Sequence, residues 1–274
     1  MNPDVTHRLL VPIQARGNVG KSTILNALAG WLEQRSVAWR GFDLDPDHRS
    51  FERCFPATVA WQPLGEEPEG DLIKLLRTCT ANPVTVIDPR AHLNEIVLRS
   101  WEMIRFPESF ATTGGRITVL LFPADDLEVM TDLDRTVSRL AGTVDYVVVK
   151  NRARAPRTRM FDGSELEADL FRLGAVTLDV TVLLSMARNH LAALEAELGR
   201  GVSHLESVAN RELSLDPMMR LIIEDWVKVL FRRFDRIAAT LLPANLAAAI
   251  TPEEANAAAV ACIRRGAKIN RSNC

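Results

Sequence analysis

The eight residues Arg16-Gly17-Asn18-Val19-Gly20-Lys21-Ser22-Thr23 limit what this chain can fold into more than any other stretch. An apolar run at residues 9–13 precedes them, and a helical pattern follows in which Ile24, Leu25, Leu28 and Leu32 recur at a spacing of three to four. Strand, glycine-bearing loop and helix, in that order, form the context a phosphate-binding loop requires. In such a loop successive backbone N–H groups and the positive end of the new helix surround an anion, and Lys21 adds a point charge. Ser22 then places a hydroxyl on a Mg²⁺ held between two phosphates. The competing explanation is a chance match in a core turn, and the flanking strand and helix count against it.

The ordinary loop reads G-x-x-x-x-G-K-[ST], and Ala15 stands where its first glycine belongs. Arg16-Gly17-x-x-Gly20-Lys21-Ser22 instead resembles the deviant Walker A box of the ParA/MinD family of P-loop ATPases. The G-N-V-G-K form is similar to that of a plasmid StbB-like branch. The resemblance implies ATP and Mg²⁺ as ligands, bound by Gly17, Asn18, Val19, Gly20, Lys21, Ser22 and Thr23. It also implies a homodimer closed face to face across the nucleotide, with Arg16 reaching the neighbouring subunit's phosphates. Two residues depart from the family: Arg16 stands for a Lys, and Asn18 for a Gly. A planar guanidinium keeps the charge and changes the geometry. Asn tolerates left-handed backbone better than most residues, but it adds bulk where a partner must come close.

A second apolar run, residues 37–42, ends in Asp43-Leu44-Asp45-Pro46-Asp47, which places carboxylates where an open α/β sheet has its ligand crevice. The D-x-D-P pattern resembles the ParA switch I motif, which implies a metal-proximal role for Asp43 and a water-orienting role for Asp45. Asp before Pro is also an ordinary turn signal. The β-branched run at residues 84–87 ends in Asp88, as a Walker B strand does, with one carboxylate at its tip for the metal's water shell. Pro89 follows Asp88 directly, whereas the family usually has D-x-P. Asn151 closes the strand at residues 144–149; the resemblance implies an adenine contact for it, and a plain turn residue is the equal alternative.

Further strands at residues 116–122 and 176–182 alternate with helical patterns at 71–79, 93–104, 125–140, 166–173 and 186–198. That alternation specifies a doubly wound α/β fold with a mostly parallel sheet covered on both faces. Residues 51–68 read as irregular, with one short strand at 59–62. The nucleotide-binding domain is expected to occupy residues 1–201, a helical extension 202–250, and a basic tail 251–274. In the extension, Met219, Ile222, Trp226, Leu230, Phe234, Ile237 and Leu241 make an apolar stripe of one helix over 217–242. Arg220, Asp225, Lys228, Arg232, Asp235 and Arg236 are assigned to its polar face. Core packing or self-association is the default use of such a stripe, and a partner surface the other.

The net charge of −2 provides no global field toward nucleic acid, so DNA contact, direct or through an adaptor, requires a local patch. Arg152, Arg154, Arg157 and Arg159 are one such cluster, read either as a solvated loop or as a phosphate contact. Cys54, Cys79, Cys262 and Cys274 form no C-x-x-C pair, which shows neither a zinc nor a cluster pattern. No apolar segment approaches bilayer length, and the tail is too polar for a stable membrane anchor. A cytoplasmic protein with reduced thiols is expected. The single tyrosine, Tyr146, lies inside a strand, which excludes the autophosphorylation of tyrosine-kinase relatives. Two functions remain: a weak Mg²⁺-dependent ATPase acting as a ParA-type switch, with Arg16, Lys21 and Asp45 catalytic and Ser22, Asp43 and Asp88 at the metal, or a nucleotide-binding scaffold that does not hydrolyse ATP.

Overall fold

The computed structural model describes residues 5–14 and 16–250. Its elements alternate: β1 (His7–Pro12), α1 (Lys21–Gln34), β2 (Trp39–Asp43), α2 (Ser50–Cys54), β3 (Val59–Trp61), α3 (Pro68–Leu76) and β4 (Val84–Asp88). They continue with α4 (Asn94–Met103), α5 (Phe106–Thr112), β5 (Gly115–Leu121), α6 (Leu127–Leu140), β6 (Asp145–Asn151), α7 (Glu165–Arg172) and β7 (Val176–Val180). The helices α8 (Ser185–Leu198), α9 (His204–Ala209), α10 (Pro217–Arg236), α11 (Ala238–Leu241) and α12 (Ala244–Ala248) complete them.

The seven strands form one sheet in the order β3-β2-β4-β1-β5-β6-β7. Every pairing is parallel, so the architecture is the doubly wound α/β fold that the alternation predicts. Side-chain alternation divides each central strand between two cores. Leu9, Val11, Ile13, Ile117 and Val119 pack with α3, α4 and α6, while Leu10, Val84, Val86, Leu120 and Val147 pack with α1, α8 and α10. The chain leaves β1 toward β2 over one face and leaves β4 toward β5 over the other. The crevice at the carboxyl ends of β1 and β4 is therefore the switch point where such sheets bind ligands.

Local chemistry starts the helices. Asp126 caps α6 by accepting from Val129 N, Ser164 caps α7, Ser203 caps α9, and Asp216 caps α10 with Pro217 in its first turn. The apolar stripe of α10 faces the core, with Ile223 fully buried and the expected Ile222 only half-buried; Ile223, Leu230 and Phe234 are at most 1% exposed and share a cluster with Leu25, Leu28 and Trp31 of α1.

Four expectations need correction. The segment 51–68 contains α2 as well as β3, and α5 and α9 were not anticipated. The helix over 217–242 breaks at Ile237, because Arg8 and Thr118 from the sheet bind the carbonyls of Ala239 and Thr240 and draw the last turn aside. Arg220 does not face solvent: its guanidinium donates to the carbonyls of Ser207 at 2.6 Å, Asn210 at 2.8 Å and Leu213 at 2.9 Å, binding the α9–α10 loop. Asp235 is half-buried and turned inward, accepting from Trp31 Nε1 at 2.9 Å and from Arg35 Nη2 at 2.6 Å. Cys262, Cys274 and the basic tail lie outside the described residues, while Cys54 and Cys79 are free thiols that burial pushes up to about 12.

Candidate functional site

Two left-handed residues shape the loop between β1 and α1, Asn18 with φ 61° and Gly20 with φ 97°. A side chain at Gly20 has no room, since a Cβ there would stand 2.2 Å from Asn151 Nδ2. Gly20 opens α1 without any side-chain cap, and the first turn of α1 has no acidic residue. No side chain of its own first turn therefore caps or offsets its positive end. Lys21, only 8% exposed, begins the helix. Burial lowers its pKa, opposed by the nearby charges of Asp88 and Asp45.

Ser22 and Asp88 come near one another although 66 residues separate them. Burial and the neighbouring Asp43 push the Asp88 carboxyl up to about 7, and Ser22 opposes that rise. Asp43 and Asp88 are register partners at the ends of β2 and β4, and Leu44 N donates to Asp88 O at 3.0 Å. Asp43 is fully buried; its Oδ1 accepts from Asp45 N at 3.0 Å, and its Oδ2 from Phe51 N at 2.9 Å and Glu52 N at 3.0 Å. Those bonds place it as the anchor of α2, behind Asp88. Asp45 Oδ1 accepts from Asp47 N at 2.9 Å, so the loop after β2 turns on itself.

The remaining predicted residues lie around the loop. Arg16 forms an ion pair with Asp126 of its own subunit, the residue that caps α6. Asn151 is buried and fastens the loop, its Nδ2 donating to Val19 O at 2.9 Å and its Oδ1 accepting from Ala153 N at 3.2 Å. Two clefts flank the loop. One, of about 440 Å³, is bordered by Ser22, Thr23, Asn151, Thr181 and Arg188. The other, of about 610 Å³, is bordered by Arg16, Asn18, Asp126, Arg154 and Arg157.

The geometry fits a phosphate bound with Mg²⁺: a left-handed glycine hemmed in by Asn151, an uncapped helix start, a buried Lys, and Ser22 and Asp88 near one another. Among the described residues no three His, Cys, Asp or Glu side chains could hold a metal by themselves. Mg²⁺ needs no such cage, because it keeps water and phosphate oxygens as ligands. No described helix is long and apolar enough to cross a membrane.

Sequence reasoning missed two contributors. Asp126 reads as an ordinary first-turn acid and carries no signal of its pairing with Arg16. Trp61 on β3 donates Nε1–H to Asp45 O at 3.1 Å, and its ring lies 4.3 Å from the Arg49 guanidinium, so it braces the loop after β2.

No protein-family model matches the chain. No curated protein matches it either. Among solved structures it is similar to the signal recognition particle receptor FtsY from Elizabethkingia anophelis, at 10% identity and a TM-score of 0.46. The match covers 81% of this chain, which spans just 65% of the length of that one.

Proposed function

We propose that this chain is an ATP-dependent dimerising switch of the ParA type, a weak Mg²⁺-dependent ATPase that positions, partitions or stabilises DNA directly or through an adaptor. The observation that carries the nucleotide reading is buried Lys21 at the uncapped start of α1, behind a left-handed Gly20 that is hemmed in by Asn151. Bound Mg²⁺-ATP supplies a phosphoanhydride to cleave and the divalent charge that steadies it. Lys21 neutralises phosphate oxygens, and Ser22 and Asp88 hold the cation and its water shell. Asp43 fixes the loop that carries Asp45, and Asp45 orients the attacking water. Arg16 exchanges Asp126 for the phosphates of the facing subunit, which couples nucleotide to dimerisation.

Sedimentation with Mg²⁺ and ATP, followed by addition of DNA, tests this reading. Dimers that form only with ATP and are lost in Lys21→Ala and Arg16→Ala support it. A nucleotide-independent state unchanged by Arg16→Ala overturns the cross-subunit role. Two observations favour the alternative, a nucleotide-binding scaffold without turnover: Arg16 is already paired in its own subunit, and Asp45 Oδ1 is engaged in its own turn. Stable binding of Mg²⁺-ATP without phosphate release, with DNA present, would select that alternative.

A further inference from the structure

Four arginines follow β6 within eight residues, and the structure separates their tasks. Arg152 is spent on Asp179, with Nε 2.8 Å from Oδ1. Arg154 and Arg157 carry neither an ion pair nor a side-chain hydrogen bond among the described residues. Arg154 alone of the four borders both clefts beside the loop. Its Cγ lies 3.9 Å from the position a Gly20 Cβ would occupy.

The backbone makes this placement rigid. Arg154 N and Ala155 N both donate to Asn151 O, at 3.0 and 2.8 Å, and the Asn151 side chain is bound to Val19 O. One asparagine therefore fastens the phosphate loop and the turn that presents Arg154 to it. The site's other cations are compromised: Lys21 faces Asp88 and Asp45, and Arg16 is held by Asp126. Arg154 is a cation that no carboxylate among the described residues engages, and it stands beside Gly20 at the edge of both clefts. A guanidinium fork suits a polyphosphate, because it makes two parallel bonds to a phosphate group.

We infer that Arg154 binds the polyphosphate of the nucleotide held by the loop, an inference that rests on the nucleotide-binding reading above. Calorimetric titration of the full chain with Mg²⁺-ATP and with Mg²⁺-tripolyphosphate, which has no base, tests it. Arg154→Ala is expected to weaken both ligands about tenfold or more, the scale of a charge-assisted hydrogen bond. Arg154→Lys should recover part of the loss, and Arg157→Ala should change either ligand less than about threefold. Because the Arg154 side chain is exposed and unpartnered, the thermal midpoint should stay within about 1 °C of wild type. Weakened ATP with unchanged tripolyphosphate would overturn the inference and assign Arg154 to the base. Unchanged nucleotide affinity with weaker duplex-DNA binding would overturn it in favour of a nucleic-acid surface. Failure of the wild-type chain to bind either ligand would instead sink the nucleotide reading, and this inference with it.

Discussion

Replacing Asn151 with Ala separates two roles that its position allows. The side chain joins Val19 O at 2.9 Å and Ala153 N at 3.2 Å, and it is only 6% exposed. Its truncation leaves a carbonyl in the phosphate loop and an amide in the next turn without their partner. Each loss costs about 1 kcal/mol net, so about 2 kcal/mol together. For a chain of this size that lowers the thermal midpoint by about 4–8 °C. The same loosening reduces the population of the ordered loop, so ATP and tripolyphosphate should both bind about tenfold more weakly. Asn151→Asp should be worse, because a carboxylate oxygen would face Val19 O and repel the bound anion. Scanning calorimetry and titration with the two ligands measure these effects. An unchanged midpoint and tripolyphosphate affinity, with ATP alone weakened, would refute the strut and restore the adenine contact implied by family resemblance.

Stability should fall with acid through His204, whose pKa burial lowers from 6.5 to about 4. The unfolded chain binds that proton first, so the contribution is complete above about pH 6.5 and drains away as pH falls toward 4, by on the order of 2 kcal/mol for a half-buried ring. Urea titrations across that range should show the decline in wild type and a flatter profile in His204→Gln. Asp235→Ala should cost about 2–3 kcal/mol, since it leaves half-buried Arg35 without its counter-charge and Trp31 Nε1 without its acceptor. A urea midpoint within experimental error of wild type would show that this pair contributes nothing to packing α10 on α1.

The parallel sheet was legible because buried strands and amphipathic helices differ in period, and aspartate closes β2 and β4. The loop of residues 16–23 was legible for a stronger reason: few local sequences combine left-handed backbone, a helix start and a lysine. The hidden features depend on partners distant in sequence. Nothing near Arg220 or Asp235 indicates that one will bind carbonyls of α9 and the loop after it and the other an arginine of α1's end, so helical period alone assigned both to solvent. Ser203 and Asp216 supply cap signals, but α9 is too short for a periodic pattern. The sequence offers Asn151 as an adenine contact or a turn residue, while its bond to Val19, 132 positions away, could come only from the fold.

Charge predicts an inversion at Asp88. Three carboxylates, Asp43, Asp45 and Asp88, stand near the Lys21 ammonium and outnumber it around Asp88. Polyphosphate entering without a cation is repelled, by roughly 3 kcal/mol per unit-charge pair at 5–6 Å in a partly screened site. Polyphosphate entering with Mg²⁺ turns the same carboxylates into attraction. Asp88→Asn should therefore weaken Mg²⁺-ATP, because a group holding the cation's shell is lost, and strengthen ATP binding in EDTA by about tenfold or more. The titrations belong near pH 8, above the value of about 7 to which Asp88 is raised, so that the wild-type carboxylate is charged. In the wild type, chelating Mg²⁺ should lower ATP affinity; in the variant, that difference should shrink or reverse. Equal weakening with and without Mg²⁺ would mean that Asp88 serves the loop's structure through Ser22 and does not face the phosphates, and the assignment of the metal to this pair would fall.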